Sequence, residues 1–145
     1  MAQASSQNLG NHSRYVPLYH FVLFAIVLLL LGTTIKRLAA HFSADTRFEF
    51  LLVVALVLVA YFARSFALTV QDRVIRLEMR LRLQALAPDL APRFDEFAPA
   101  HLTALRFAGD AELPALARQV IAGKLTKGVD IKKQIRNWKP DNLRA

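Results

Sequence analysis

One nearly uncharged apolar run constrains this 145-residue chain more than any other feature. Between Pro17 and Ile35 the sequence reads PLYHFVLFAIVLLLLGTTI, and His20 is its only readily charged side chain. The hydrocarbon core of a bilayer is about 30 Å thick and needs roughly 20 helical residues to cross it. The run is therefore predicted to be a transmembrane helix. Because Lys36 and Arg37 follow where a cleavage motif would stand, it is interpreted as a retained anchor rather than a signal peptide.

A second apolar run extends from Phe50 to Ala63 and is predicted to form the second transmembrane helix. The run is short, but a helix over residues 48–70 crosses a bilayer if Glu49 lies at one interface and Arg64 extends toward the other. Arg64 then either pairs with another subunit or a lipid phosphate, or simply snorkels to the headgroups, which is favoured. The alternative for the whole run is a buried core helix.

The segment between the two runs, residues 36–47, is predicted to be a short loop that makes the spans a tight antiparallel hairpin. Both ends of the chain then lie on one side of the membrane. The loop carries fewer Lys and Arg residues than the terminal side, so the positive-inside rule places both termini in the cytoplasm, with the spans in a bacterial inner membrane. The residues compared are Lys36, Arg37 and Arg47 in the loop, and Arg14, Arg73, Arg76, Arg80 and Arg82 on the terminal side.

The chain contains no Gly or Pro between Thr46 and Ala87, which predicts one long helix that continues beyond the membrane. Its last part carries two apolar stripes at helical spacing on nearly opposite sides, and such a helix needs cover on both sides. All eight side chains are predicted interface residues. One cover is this chain's own C-terminal region and the other a second copy or another subunit; alternatively, the chain covers both stripes itself. The first stripe consists of Val70, Val74, Leu77 and Leu81, and the second stripe of Ile75, Met79, Leu83 and Leu86.

Beyond Ala87 the chain is predicted to be a series of short helical segments separated by prolines. Asp110 and Asp130 are predicted to be helix N-caps, because a carboxylate at that position accepts hydrogen bonds from the first backbone N–H groups. The predicted segments are turns over 89–97 and helices over 101–107, 111–123 and 130–138.

These segments together predict an all-α membrane protein. Its core is a two-helix transmembrane hairpin whose second helix extends into the cytoplasm, followed by a small helical C-terminal cap. The predicted divisions are an N-terminal cytoplasmic segment (1–15), the transmembrane hairpin (16–70, spans about 17–35 and 48–70), a juxtamembrane amphipathic helix (71–87) and a small helical cytoplasmic domain (88–145).

The formal net charge of +8 predicts contact with anionic lipid headgroups or an acidic partner. Asp72–Arg76 and Glu78–Arg82 are predicted ion pairs at i,i+4 spacing on the long helix. Nucleic acid is not favoured, because the basic tail has one aromatic residue and no recognised binding module. For the tail, a solvated basic face is the alternative. The predicted contact residues are Arg64, Arg73, Arg76, Arg80, Arg82, Lys132, Lys133, Arg136 and Trp138.

The sequence offers no constellation typical of catalysis, so the chain is predicted not to be an enzyme and to hold no metal or cofactor. It contains no cysteine, which excludes thiolate chemistry, and it lacks a phosphate-binding glycine loop and an HExxH motif. His20 is interpreted as an interfacial residue, with a pigment or haem ligand as the alternative. A haem ligated on both faces needs a second axial ligand, and the second span has neither His nor Met.

Four segments of the sequence resemble a family of small bacterial membrane proteins of unknown function. The resemblance covers nearly the whole chain in the same order, and it implies two spans followed by a cytoplasmic helical tail. It implies no activity and no functional residues. The segments are NHSRYVPLYHFVL (11–23), FARSFALTVQDRVIRLEMRLRL (62–83), LRFAGDAELPALARQV (105–120) and IKKQIRNWKPDNLRA (131–145).

Two hypotheses for function follow from these patterns. The first is a non-catalytic accessory or scaffold subunit that packs against a larger membrane complex, of respiratory or photosynthetic type by analogy only. The second is a self-associating membrane tether that binds anionic lipid or a cytoplasmic partner through its basic helix and tail. The predicted partners are thus the bilayer, other membrane-protein subunits or copies of the same chain.

Overall fold

The computed structural model of this chain describes residues 8–11 and 16–141, and within those ranges every regular element is helical. A π-helical turn, Leu18–Leu23, leads into α1 (Phe24–Ala40), and α2 follows as Ala44–Leu86. A 3-10 helix, Pro88–Glu96, precedes α3 (Pro99–Leu105), α4 (Leu113–Ile121) and α5 (Gly128–Gln134). A single antiparallel bridge joins Ala108 and Trp138. The all-α prediction is confirmed.

The helical stretch Leu18–Ala40 and α2 are both long and apolar enough to cross a membrane. In Leu18–Ala40 and the first 24 residues of α2, Val53 is the one large aliphatic residue that is fully buried, and most of the other apolar side chains are exposed. The uninterrupted helix predicted from Thr46 to Ala87 is confirmed, since α2 covers Ala44–Leu86 without a break.

The connection between α1 and α2 is much shorter than predicted. The loop expected over 36–47 consists only of residues 41–43, because α1 continues through Lys36 and Arg37 to Ala40. Ser43 and Thr46 fix the start of α2: the Ser43 N–H donates to Thr46 Oγ1 (3.0 Å), and the Thr46 N–H donates to Ser43 Oγ (3.3 Å). This reciprocal capping satisfies two N–H groups that a helix start otherwise leaves unpaired.

The described residues divide into two compact units, one over residues 16–67 and one formed by residues 8–11 with residues 68–141. In the first of these, two contacts join α2 to the helical stretch before it. Tyr19 donates its hydroxyl hydrogen bond to the carbonyl of Ala60 (2.6 Å), and Arg37 pairs with Glu49 (3.1 Å). Tyr19, near the start of the first helical stretch, thus contacts a residue well along α2, whereas Arg37, near the end of that stretch, contacts a residue near the start of α2.

The second unit has a continuous apolar core to which α2 contributes one face. Ile75, Met79 and Leu83 are almost completely buried there, and the 3-10 helix adds Leu90 and Phe94. The remaining helices and loops supply Phe97, Leu102, Leu105, Phe107, Leu113, Leu116, Val120, Leu125, Ile131 and Ile135. Residues 71–87 and the described residues after them therefore share one apolar core.

Several predicted helix ends in this unit are wrong. Asp110 does not cap α4, which begins only at Leu113, and Asp130 lies inside the first turn of α5. The helix predicted to start at the Asp130 cap was expected to reach Trp138, but α5 ends at Gln134. Asp110 instead contacts Arg82, which is distant in the sequence, and Asp130 lies near Lys133 within α5.

The end of α4 follows the predicted glycine stop. Gly123 has a φ of 72°, and its N–H donates to the carbonyl of Val120 (3.0 Å). The Lys124 N–H donates to the carbonyl of Gln119 (3.0 Å). This is the Schellman pair of hydrogen bonds, and it needs a left-handed residue, which glycine adopts without steric cost.

We expect truncation of a buried side chain of α2 to destabilise the C-terminal unit. Leu83→Ala removes a side chain that is 1% exposed, and we expect it to lower the free energy of unfolding by about 2–5 kcal/mol because it leaves a cavity. The measurement is urea unfolding in detergent followed by fluorescence of Trp138, the chain's single tryptophan. The control Val129→Ala truncates an exposed side chain and should change stability by less than about 0.5 kcal/mol. Equal effects of the two variants would contradict this core.

Candidate functional site

The first stripe is a row of apolar side chains that the described residues of the C-terminal unit leave uncovered. Its four side chains are between 49% and 60% exposed, whereas Ile75, Met79 and Leu83 of the second stripe are at most 4% exposed. The two stripes differ because the C-terminal helices pack against one side of α2 only. The stripe consists of Val70, Val74, Leu77 and Leu81.

The second stripe is therefore not the partner interface that the sequence predicts. Ile75, Met79 and Leu83 belong to this chain's own core, and a partner cannot reach them. Leu86 differs from these three because it is 37% exposed at the end of α2. Residues 8–11 and 16–141 bury the second stripe but leave the first stripe exposed.

Asp95 and Phe94 contact two arginines of α2, Arg76 and Arg80. Arg76 donates to Asp95 Oδ1 at 2.7 Å, and Arg80 lies 3.9 Å from the same oxygen. Both guanidinium groups also stack over the Phe94 ring, at 5.4 Å and 4.9 Å from its centroid. The predicted Asp72–Arg76 pair does not form, because Asp95 takes its place. The side chains of Arg76 and Arg80 stay about half exposed.

Arg82 points into the C-terminal unit and ties α2 to the chain after α3. It donates to the carbonyls of Arg106 (3.1 Å) and Ala108 (2.9 Å) and forms an ion pair with Asp110. Its side chain is only 18% exposed, so it is not available for the lipid contact predicted for it. The predicted Glu78–Arg82 pair is likewise replaced by the pair with Asp110.

Arg73 and Glu78 differ from Arg76, Arg80 and Arg82, which are held by carboxylates of the C-terminal unit. Both are exposed, and neither forms an ion pair with any residue within the described ranges. On a helix of 100° per residue they flank the first stripe, one on each side. The uncovered apolar surface thus has a cation along one edge and a carboxylate along the other.

A carboxylate that the sequence analysis did not single out organises the C-terminal segment. Glu112 accepts hydrogen bonds from the backbone N–H groups of Arg136 (3.1 Å) and Asn137 (3.1 Å). The Gly109 N–H also donates to it (3.3 Å), and the Gly109 N–H donates in addition to the Asn137 carbonyl (2.9 Å). The contacts of Glu112 with Arg136 and Asn137 join residues more than twenty positions apart, so no local sequence motif predicts them.

The predicted basic tail is partly built into the unit. Trp138 packs against Phe107 with ring centroids 5.2 Å apart, and the Lys132 ammonium lies 5.6 Å from the same Phe107 ring. Lys133 is 3.8 Å from Asp130, while Arg136 is exposed. The Trp138 ring is therefore half-buried at the edge of the core.

Arg106 is the most buried charged residue described, and the sequence analysis missed it. Its side chain is 7% exposed, pairs with Asp141 at 3.3 Å and lies over the Phe107 ring at 4.6 Å. A cleft of about 400 Å³ opens beside it, lined by three cations and two carboxylates whose charges nearly cancel. The charged lining residues are Glu78, Arg82, Arg106, Lys139 and Asp141.

In the unit over residues 16–67, His20 and Arg64 are both half-buried. The His20 ring meets Tyr19 edge to face at 5.3 Å, and its Nδ1 lies 3.0–3.1 Å from the backbone N and O of Val16. Arg64 forms no ion pair with a described residue. Residues 8–11 and 16–141 contain no group of three or more His, Cys, Asp or Glu side chains placed to hold a metal ion.

These observations define the class of the protein: an all-helical chain with two long apolar helices and a compact C-terminal unit that leaves one apolar stripe exposed. The chain belongs to the family of unknown function DUF6526, whose model matches residues 1–145. The resemblance seen in the sequence is thereby confirmed over the whole chain. No curated protein and no solved structure matches it. The family assignment transfers no functional residue.

The Arg82–Asp110 contact should make stability depend on pH. The hydrogen bond from Arg82 holds the pKa of Asp110 below its ordinary value of 3.8. Stability from this pair is therefore fully present above pH 3.8 and is lost as the pH falls through the lower pKa of the folded state. We expect Asp110→Asn to destabilise the protein at neutral pH and the difference from wild type to shrink below pH 3.8, measured by urea unfolding at a series of pH values. The matched control is Asp72→Asn. If Asp110→Asn destabilises the protein by the same amount at every pH, the assignment of this pH dependence to the Arg82–Asp110 pair is contradicted.

Proposed function

We propose that this protein is a non-catalytic scaffold subunit anchored in the bacterial inner membrane by two transmembrane helices. The observation that carries the proposal is the exposed first stripe on a helix whose other side is already buried. A row of four large apolar side chains in water is costly, and such patches are typical of surfaces that associate with protein. The surface lies on α2, so assembly takes place directly beside the membrane.

The membrane part of the proposal is supported by the exposure of the two apolar helices. Leu18, Phe21 and Phe24 are each more than 60% exposed, and so are Leu51 and Val59 on α2. Hydrocarbon is the environment in which such helices need no further protein cover. The Tyr19–Ala60 and Arg37–Glu49 contacts support an antiparallel transmembrane hairpin.

The orientation is proposed from charge. Lys and Arg residues near the spans are more numerous on the side of the two termini than in the loop, and the positive-inside rule favours a cytoplasmic C-terminal unit. Arg14 falls outside the described residues, and Arg82 is bound within the unit, but orientation is set by the count of cations during insertion rather than by their final contacts.

The self-associating tether is the second candidate, and the exposed cations favour it. Arg73, Lys133 and Arg136 remain exposed after the unit has formed. Each cation near an anionic membrane surface contributes about 1 kcal/mol of attraction. In this candidate the same stripe joins copies of the chain, and the cations bind lipid headgroups or an acidic cytoplasmic protein.

The proposed topology can be tested with single cysteines, because the chain contains none. Phe42→Cys places a thiol in the short loop between α1 and α2, where the side chain is 75% exposed, and Lys124→Cys places one in the C-terminal unit. In cells whose outer membrane is made permeable while the inner membrane stays intact, a membrane-impermeant maleimide should label Phe42→Cys only. In inverted inner-membrane vesicles it should label Lys124→Cys only. Labelling of both on one side, or release of the protein by alkaline carbonate, would contradict the proposal.

The scaffold role can be tested by charging the first stripe. We expect Leu77→Asp to abolish association while leaving membrane insertion intact, because it places a carboxylate at the centre of the apolar surface. The measurement is purification from native membranes in gentle detergent, followed by mass spectrometry of the intact complex. Lys124→Asp puts the same charge on an exposed loop of the same unit and should leave the complex unchanged. Unaltered composition with Leu77→Asp would remove the stripe from consideration as an interface.

A further inference from the structure

We propose that the first stripe binds the same stripe of a second copy of this chain, with the two α2 helices parallel and in register. The inference rests on the proposed membrane function and names the partner of its exposed surface. Its basis is the combination of heptad spacing, charges at the edges of the stripe and the orientation that a membrane imposes.

The spacing of the stripe is that of a coiled-coil seam. Val70, Val74, Leu77 and Leu81 follow one another at intervals of four, three and four residues, which places them at positions d, a, d and a of a heptad. A β-branched residue at a followed by leucine at d, as in Val74 and Leu77, is typical of two-stranded parallel coiled coils. In the sequence the same alternation continues backwards to Ala67 and Ala63.

The charges at the edges complement one another in a parallel pair. In this heptad register Arg73 occupies position g and Glu78 the following position e. In a parallel dimer a g residue of one helix faces the next e residue of the other, so Arg73 faces Glu78 of the second copy on both sides of the two-fold axis. Within the described part of the chain neither residue has another ion-pair partner.

An antiparallel pair is disfavoured on two grounds. It would bring the g positions of the two helices together, and Arg73 and Arg80 would then face like charges. Two copies inserted by the same topological rule also have α2 running in the same direction. The C-terminal helices do not obstruct the parallel pair, because they cover the opposite side of α2 through Ile75, Met79 and Leu83.

The register can be tested by disulfide cross-linking of single-cysteine variants of the full chain in native membranes. In a parallel, in-register dimer both Val70→Cys and Leu77→Cys meet their own equivalents, whereas an antiparallel pair cannot bring both positions to the axis. We expect both variants to form at least about fivefold more disulfide dimer than Asp72→Cys, which lies on the far side of the same helix. Equal yields for all three, or dimer at only one seam position, would overturn the proposal.

The charge pairing can be tested by reversal in the Leu77→Cys background. Arg73→Glu and Glu78→Arg each place like charges across the interface, and each should lower the cross-linked fraction about threefold or more. The double variant restores opposite charges and should recover the yield, which a merely local effect on the fold would not do. Failure of recovery would overturn the pairing.

The source of any cross-linked partner separates this inference from the broader function. Mass spectrometry of the Leu77→Cys adduct should identify two copies of this chain. If the adduct contains only a different protein, the second-copy inference fails while the scaffold proposal stands. If the protein is absent from the membrane fraction, the proposed function itself fails.

Discussion

The burial of Ile75, Met79 and Leu83 is the interaction on which the rest of the C-terminal unit depends. Through these side chains, one face of α2 forms one side of the apolar core. Arg82 lies one helical turn after Met79, beside this face, and its guanidinium donates to two carbonyls after α3 and pairs with Asp110. The same packing leaves the opposite face of α2 outside. One choice of face therefore determines the core, the internal ion pair and the exposed surface.

Cations that look alike in the sequence have different environments once this face is chosen. Arg82 and Arg106 are almost enclosed, and each is held by a carboxylate and by other contacts within the unit. Arg76 and Arg80 share Asp95 and the Phe94 ring but keep about half of their surface exposed. Arg73 remains fully at the surface. A basic net charge therefore overstates the number of cations available to a lipid or a partner.

The sequence predicts the features that depend on neighbouring residues and misses those that depend on distant ones. The continuous α2 follows from the absence of Gly and Pro, and the end of α4 from Gly123. Asp110 resembles a helix cap, but Arg82, 28 residues earlier, takes its carboxylate. The end of the apolar run predicts that the loop begins directly after Ile35. In the structure α1 continues to Ala40, and the loop ends where Ser43 and Thr46 cap the start of α2. Hydropathy marks a change of solvent rather than the end of a helix.

The charges beside the first stripe restrict what can cover it. A partner helix that is apolar but uncharged would bury the four aliphatic side chains and leave Arg73 and Glu78 facing only water, with no gain from either. A partner with one sign of charge along both edges would satisfy one residue and repel the other. A parallel copy of α2 presents Glu78 to Arg73 and Arg73 to Glu78 at once. Arg73 and Glu78 lack an ion pair within residues 8–11 and 16–141 of one chain, and a two-fold pair of α2 helices gives each of them a partner.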